Sequence, residues 1–375
     1  MYIVTTVKLL MITLIVLSCA SEETNYKIRE INGKKVFLNK NIENRNDFDI
    51  KFIKLFEVGE DSLNNENGKK LIHPFFFEVD KLNNIYVYDN NDKRVKKYDQ
   101  NGNYVLGFGA NGNGPGEYLG PSDLFIDRNR IHINDVRQKS LMTFDLNGVF
   151  IEKILSNKIF TFFQRMDSHS ILCSSFTTEE QEGKLFLRKR IFISDDSLEI
   201  KSVLCEYLYD VNMNNHFNPL NYFHFTTIHK GKIHMAVNSV NDYRIEIYEF
   251  SGKNTQSLCK SYLRHEFGES DFFKEKSFIN SLSNEEFNEN FIKFRNSISG
   301  IYNLNDKYLL VSTPKGQNDP QGLKFDVFQD NVFQKSVYAE IPVESDLLPQ
   351  VKIVNDRLYT IDREINRIIV YKIDY

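Results

Sequence analysis

Several features that would reveal an activity are missing from this sequence. It contains four cysteines in 375 residues, and no two of them have the C-x-x-C spacing of a zinc or redox site. It also has no H-E-x-x-H metal motif and no G-x-S-x-G nucleophile elbow. The formal net charge is only −4 and the basic residues form no stripe, so we expect no nucleic-acid partner.

Long apolar runs are also missing, apart from one near the start. The run Leu9–Leu17 follows Lys8; it is too short to cross a bilayer as a helix but has the length of a signal-peptide core. It leads into Val16–Cys19, which resembles the lipobox of bacterial lipoproteins, where the cysteine thiol carries the lipid. We therefore predict a signal peptide over residues 1–18 and a lipid on Cys19. This lipid anchors the protein to the membrane in the bacterial cell envelope, at the outer membrane. The alternative is an ordinary secretory signal with an incidental cysteine.

Residues 19–47 are polar and predict a tether followed by an edge strand at Val36–Leu38. The acidic residues Glu22 and Glu23 follow the predicted lipid site. In some bacterial lipoproteins such residues accompany display on the cell surface. Both the outer surface and the periplasmic side of the outer membrane therefore stay open.

The remaining cysteines are Cys173, Cys205 and Cys259. Cys173 and Cys205 lie in apolar runs, which predicts buried and chemically inert strand residues. A disulfide among the three is neither required nor excluded by the sequence.

The stretch around which the chain is organised is rich in glycine. Gly107–Tyr118 reads GFGANGNGPGEY, and so many glycines with a proline exclude a helix or the middle of a strand. Similar segments flank it, Pro74–Gly102 before and Pro121–Gly148 after. Their prolines are 47 residues apart (121 − 74) and their closing glycines 46 apart (148 − 102). A near-constant period of this size, filled with short strands and turns, predicts propeller blades.

The repeat continues to the C-terminus and predicts six blades of four strands. The last blade supplies only three strands, and the strand predicted at Asp49–Phe56 is available as the fourth. We therefore expect this N-terminal strand to close the ring. The predicted fold is an all-β, six-bladed β-propeller over residues 48–375. The candidate blades cover 71–154 (two blades), 160–206, 222–263, 298–341 and 351–371.

One stretch breaks this pattern. Residues 268–297 carry aromatic and charged side chains at helical spacing, and Ser283 with Glu286 resembles a capping box. We predict a small helical insertion here, between blades 4 and 5. It joins an outer strand to the next inner strand, as the loop 107–120 does, so both lie on one face together with the loops between second and third strands. We call this face the loop face.

The repeat resembles the NHL-type blade, and Gly112–Tyr118 looks like the hallmark of bacterial six-bladed β-propeller lipoproteins. The resemblance is strong over 71–154 and 347–375 and weak between them. Asp89–Arg94 and Asp362–Arg367 share the Asp-x-x-x-x-Arg spacing of such blades, whereas Ser140 stands where the second blade would have arginine. The resemblance implies the fold and the compartment rather than a reaction. Relatives in the wider NHL-like group include a metal-dependent lyase and scaffolds that bind protein or nucleic acid.

Polar side chains on the loop face are the candidate ligand contacts. For the Asp–Arg pairs, the alternative is a structural role in inter-blade ion pairs and turn hydrogen bonds. For Glu117 it is capping of local N–H groups, and Tyr118 is expected to pack between blades. Gly107–Gly112 matches G-x-G-x-x-G, but no helix follows, so we expect no dinucleotide site. The candidates are Asp89, Arg94, Asn113, Glu117, Tyr118, Asp135, Arg137, Asp362 and Arg367.

Two classes of function remain open. The first is a propeller that binds a glycan, peptide or protein ligand, with no cofactor and no metal. The second is a metal-dependent enzyme of the lyase or lactonase type, with calcium or zinc held on the axis by side chains from several blades. The sequence shows no catalytic motif, which favours the binding protein.

Overall fold

A computed structural model of the chain describes residues 24–44, 48–59, 69–156, 158–210, 224–266, 293–316, 318–343, 345 and 349–375. Every regular element within these ranges is a β-strand. Cys19 and most of the predicted helical insertion lie outside the described residues. Within the described ranges, no helix has the length and apolar character needed to cross a membrane.

The described strands form seven sheets. Six of these sheets each contain four strands that pair antiparallel, one set for each blade, and this confirms the prediction of six blades. The N-terminal strands are β1 (Tyr26–Ile31), β2 (Lys34–Asn39) and β3 (Lys51–Val58). Blade 1 consists of β4 (Pro74–Val79), β5 (Ile85–Asp89), β6 (Arg94–Tyr98) and β7 (Tyr104–Phe108). The glycine-rich loop holds β8 (Ala110–Asn111) and β9 (Glu117–Tyr118). Blade 2 consists of β10 (Pro121–Asp127), β11 (Arg130–Asp135), β12 (Ser140–Asp145) and β13 (Phe150–Leu155).

The other four blades follow the same order from the axis outward. Blade 3 consists of β14 (Ile159–Arg165), β15 (Ile171–Gln181), β16 (Lys184–Ser194) and β17 (Ile200–Asp210). Blade 4 consists of β18 (Thr226–His229), β19 (Lys232–Ala236), β20 (Tyr243–Tyr248) and β21 (Asn254–Lys260). Blade 5 consists of β22 (Gly300–Leu304), β23 (Tyr308–Thr313), β24 (Leu323–Gln329) and β25 (Val332–Ala339). Blade 6 consists of β26 (Val351–Val354), β27 (Arg357–Asp362), β28 (Arg367–Asp374) and, paired with β28, the N-terminal strand β3.

Burial explains why second strands such as β5 and β23 are mainly apolar instead of alternating. Every residue of β5, Ile-Tyr-Val-Tyr-Asp, is buried, because a neighbouring blade covers each face of the sheet. β-branched and aromatic side chains suit such a surface. The outer strand β13 is largely exposed. Burial is therefore greatest in the middle strands and falls toward the rim.

The hydrophobic core is divided into six clusters, and each cluster lies between two adjacent blades. The cluster between blades 6 and 1 includes Val58 of β3 together with Phe77 and Tyr359. The stabilising apolar contacts are thus repeated around a ring, and the axis itself is left open.

The N-terminal hairpin β1–β2 extends blade 4, where β2 pairs in parallel with β21. The side chain of Asn39 is only 3 % exposed and holds this hairpin in place. Its Nδ2 donates to the carbonyls of Cys259 and Asn331, and its Oδ1 accepts the N–H of Phe333. The hairpin is therefore bound to blade 5 as well as to blade 4.

The prediction of a helical insertion over 268–297 is wrong in its described part, residues 293–297. Phe294 forms an isolated antiparallel bridge with Glu266, and the N–H of Arg295 donates to the carbonyl of His265. Hydrogen bonds to blade 4 loops replace the helical ones, which the spacing of aromatic residues does not reveal.

Candidate ligand-binding channel

The first strands of all six blades surround a central channel with a volume of about 3310 Å³. This is well above the roughly 300–1,000 Å³ of typical small-molecule pockets. Because its walls are strands held in six sheets, the channel is built on the rigid part of the molecule. It is large enough for an extended ligand.

The channel wall combines aromatic and polar side chains. Phe75 of blade 1 is 44 % exposed, and Tyr302 of blade 5 is half-buried with its ring edge against Phe325 at 5.8 Å between centroids. Thr161 of blade 3 is exposed and also lines the channel. Aromatic faces and hydrogen-bonding groups together suit ligands such as peptides and glycans.

Three charged side chains from neighbouring first strands lie together in this wall. Lys352 of β26 forms an ion pair with Glu78 of β4, with 2.9 Å between Nζ and Oε2. Asp123 of β10 lies within the field of both charges. One of its carboxylate oxygens accepts the N–H of Leu124 at 2.8 Å. Blades 6, 1 and 2 thus each supply one member of this group, which we call the axial triad.

Asp123 is the exceptional member of the axial triad. Burial in the channel wall raises the pKa of its carboxyl from the ordinary 3.8 to about 7. Lys352 opposes this shift, and Glu78 adds to it. Asp123 therefore changes charge near neutral pH, which is unusual for a carboxyl group and marks candidate functional sites.

A buried cation of blade 3 also lies at the channel wall. Lys189 of β16 is 3 % exposed, and its ammonium group is 4.9 Å from the centre of the Phe176 ring. Burial lowers the pKa of this lysine to about 8. It gives the channel a basic group in the blade next to that of Asp123.

Comparison with protein families decides the assignment of the fold. A family model described as a 6-bladed beta-propeller, DUF5128, matches residues 26–336. The chain belongs to this family. No curated protein shows significant sequence similarity to it.

Several solved structures are similar in fold to this chain. A Bacteroides fragilis protein described as exported has 13 % sequence identity and a TM-score of 0.50, over 90 % of this chain and 99 % of that one. A DUF4221 family member from Bacteroides vulgatus has 10 % identity and a TM-score of 0.48, over 87 % and 98 %. Virginiamycin B lyase from Staphylococcus aureus has 9 % identity and a TM-score of 0.45, over 86 % and 99 %. The first likeness concerns the fold alone, and the other two carry no functional information.

The aspartates predicted as ligand contacts bind backbone in this DUF5128 chain. Asp89 is fully buried and accepts N–H groups from Ile72 and His73 as well as the ammonium of Lys96. Asp135 is likewise buried and accepts four N–H groups, including those of the residues that lead into β10. Both carboxylates tie the end of a second strand to the start of the first strand. Asp362 accepts N–H groups within its own turn, and it alone of the predicted residues borders the channel.

The repeated arginines also have equivalent roles in their blades. Arg94 lies opposite Asp89 in the strand pairing, and Arg367 lies opposite Asp362. Arg94 donates to the carbonyl of Gly107, and Arg367 donates to that of Gly59. Each guanidinium therefore links the third strand of its blade to the end of the fourth.

The predicted residues of the glycine-rich loop are dispersed. The Glu117 carboxylate accepts the N–H of Gly114 at 2.8 Å. Tyr118 is 1 % exposed and lies edge-on to Tyr88 at 5.8 Å between ring centroids. Asn113 and Arg137 are exposed. These side chains do not converge on the channel.

The structure also places a turn aspartate and the three cysteines of the propeller. Asp99 accepts N–H groups from Asn101 and Asn103 within its hairpin turn. Cys173, Cys205 and Cys259 are free thiols. Cys173 is buried as predicted, and burial raises its pKa to about 12. The prediction of burial is wrong for Cys205, which is partly exposed on the outer strand β17. Among the described residues, no group of three or more His, Cys, Asp or Glu side chains could hold a metal ion.

The sequence analysis missed Glu78, Asp123 and Lys352. Each is a charged residue within a short, otherwise mainly apolar first strand, such as Phe-Phe-Phe-Glu-Val in β4. That interruption, recurring in the first strands of neighbouring blades, is the signal that could have identified them.

Proposed function

We propose that this protein is a lipid-anchored propeller of the bacterial cell envelope that binds an extended ligand, a peptide or glycan, in its central channel. The observation that carries the proposal is the channel itself, which is large, mixed in character and lined by all six blades. Nucleic acid is not part of this proposal, because the net charge is −4.

The location rests on the N-terminal sequence. A signal-like segment leads to the lipobox-like Val16–Cys19, and we propose that Cys19 carries the lipid. The Bacteroides fragilis protein of similar fold is described as exported, which is compatible with this location. Replacement Cys19→Ala is expected to abolish incorporation of labelled fatty acid and to move the protein out of the membrane fraction. Retained labelling would refute the lipid site.

Ring closure by the N-terminal strand is part of the proposal, since a binding channel requires a stable ring. The antiparallel pairing of β3 with β28 supports it, as does the position of Val58 in the cluster between blades 6 and 1. The equivalent roles of Arg94 and Arg367 support an NHL-like repeat.

The test of ligand binding uses glycan and peptide arrays with the mature chain from Cys19 onward. Tyr302→Ala removes an aromatic ring from the channel wall. Tyr104→Ala is the matched control, because Tyr104 is a half-buried tyrosine with the same edge-on contact, 5.8 Å from Tyr98, on the outer strand β7. We expect the arrays to identify ligands that no longer bind to the Tyr302→Ala variant but still bind to the Tyr104→Ala variant. Equal binding by both variants would place the ligand elsewhere.

The alternative, a metal-dependent enzyme with an axial site, is tested by elemental analysis and by melting with and without chelator. Stoichiometric calcium or zinc together with a melting temperature lowered by chelator would favour the enzyme. The channel-wall carboxylates Glu78 and Asp123 are accompanied by the cation Lys352, which favours an organic ligand over a metal ion at that point.

A further inference from the structure

The axial triad carries an unbalanced charge. Glu78 and Lys352 form an ion pair at 2.9 Å and compensate each other. Asp123 has no such partner: its hydrogen bond among the described residues is to the N–H of the adjacent Leu124. When Asp123 is ionised, the triad therefore presents one net negative charge to the channel.

The other groups around β10 do not compensate this charge. β10 packs against β4, β11 and β14. On β11, Asp123 lies opposite Asn134, and Arg130 of that strand is paired with Glu152. On β14, Arg165 binds Asp127 and Asp196.

The one imidazole on these strands, His132 of β11, does not supply a charge either. Its ring lies at a tilt against that of Phe163, with 5.4 Å between centroids. Burial lowers the pKa of His132 to about 4, so the ring is neutral through the range in which Asp123 titrates.

Aromatic rings border the same space. Phe75 of blade 1, the blade next to that of Asp123, lines the channel, and the guanidinium of Arg363 lies 5.7 Å from the centre of its ring. Tyr302 lines the opposite side of the channel, in blade 5. Aromatic faces attract ammonium groups, and a carboxylate supplies the opposite charge. A channel with both is suited to a protonated amine.

We propose that the ionised carboxylate of Asp123 is the point at which the channel binds a protonated amine, the lysine side chain of a peptide, and that acidification releases it. This rests on the proposed function, because it assigns the chemistry of a ligand to the same channel. Below neutral pH the Asp123 carboxyl is protonated and the triad becomes neutral, which removes the attraction. Above neutral pH the lysine amine remains protonated and the attraction is complete.

The test measures binding of Nα-acetyl-trilysine amide by calorimetry at pH 8.0 and pH 5.5, at constant ionic strength. With a pKa of about 7, the ionised fraction of Asp123 falls about 30-fold between these values, and we expect the affinity to fall by the same factor. The Nε-acetylated tripeptide, which has the same length without the charges, is expected to bind weakly at both pH values.

Two variants locate the effect. Asp123→Asn preserves the shape of the side chain and is expected to lose both the binding at pH 8.0 and the pH dependence. Lys352→Met removes the cation that opposes the rise of the Asp123 pKa, so this variant is expected to release trilysine at a higher pH than the native chain does. Asp374→Asn, at an exposed carboxylate of the last strand, is the control and should behave as the native chain.

Native affinity and pH dependence in Asp123→Asn would overturn the proposal, as would an unchanged or lower release pH in Lys352→Met. If array ligands bind in a manner that depends on Tyr302 while trilysine shows no pH dependence, the amine site is wrong and the binding channel stands. If no ligand depends on Tyr302, both proposals fail.

Discussion

Two aspartates of adjacent blades show how the surroundings of a residue decide its role. Asp89 is fully buried, and N–H groups and Lys96 satisfy its carboxylate. Asp123 has one N–H partner and borders the channel. The first carboxylate is used to hold the fold, and the second is available to a ligand.

Replacement Asp89→Asn is expected to destabilise the protein by about 3–5 kcal/mol, because it breaks a buried ion pair and leaves N–H groups without an acceptor. Asp92→Asn is the matched control, since Asp92 binds the same Lys96 but is partly exposed. We expect it to cost about 1 kcal/mol or less. Urea denaturation measures both. Equal losses of unfolding free energy in the two variants would show that the burial of Asp89 does not determine its contribution to stability.

Asp123 is also expected to make stability depend on pH. Its pKa is raised in the folded state to about 7, so the folded protein binds this proton more tightly than the unfolded chain. The stabilisation that comes from this tighter proton binding is fully present below about pH 4 and is lost as the pH rises through 7. Asp123→Asn should therefore melt at a higher temperature than the native chain at pH 8, with a smaller difference at pH 5. A difference that does not change with pH would contradict the shifted pKa.

At the scale of elements, the glycine-rich loop shows a position that only glycine fits. Gly109 has a φ of +74°, and a Cβ added there would approach the hydroxyl of Tyr118 to 2.5 Å. Tyr118 is buried between blades 1 and 2. The loop thus wraps around a fixed aromatic ring.

Replacement Gly109→Ala is expected to cost about 3 kcal/mol, because backbone strain is added to a clash with Tyr118. Gly33→Ala is the control, since Gly33 has nearly the same φ, +73°, with nothing within 4 Å of the added Cβ. It should cost about 1 kcal/mol. The difference between the two unfolding free energies measures the clash, and a difference of zero would exclude it.

The elements were predictable where turn residues repeat. Asp99 and Asp145 each accept N–H groups two and four residues ahead, so the turns between third and fourth strands mark blades 1 and 2 in the sequence. The helical spacing of aromatic and charged residues gave a wrong prediction at 293–297. Such spacing does not reveal hydrogen bonds to a distant loop, here the one from Arg295 to His265. β1 was not predicted, since it is largely exposed and has little apolar pattern.

At the scale of the molecule, the site arises from the ring rather than from any local motif. Glu78, Asp123 and Lys352 are separated by long stretches of sequence, and they meet because blades 6, 1 and 2 are neighbours. The predicted loop-face residues were instead chosen from local motifs, and most of them bind backbone in their own blade. Ring geometry, which brings first strands together at the axis, is what sequence spacing alone does not show.

The central claim is that ligand binds inside the channel, and site-specific photo-crosslinking tests it most directly. A photo-reactive phenylalanine is placed at Thr161, which is exposed on the channel wall, or at Ile151, which is 43 % exposed on the outer strand β13. With a ligand selected on the arrays, the account predicts a crosslinked product from position 161 and none from position 151. A product from position 151 alone, or equal yields from the two, would contradict binding in the channel.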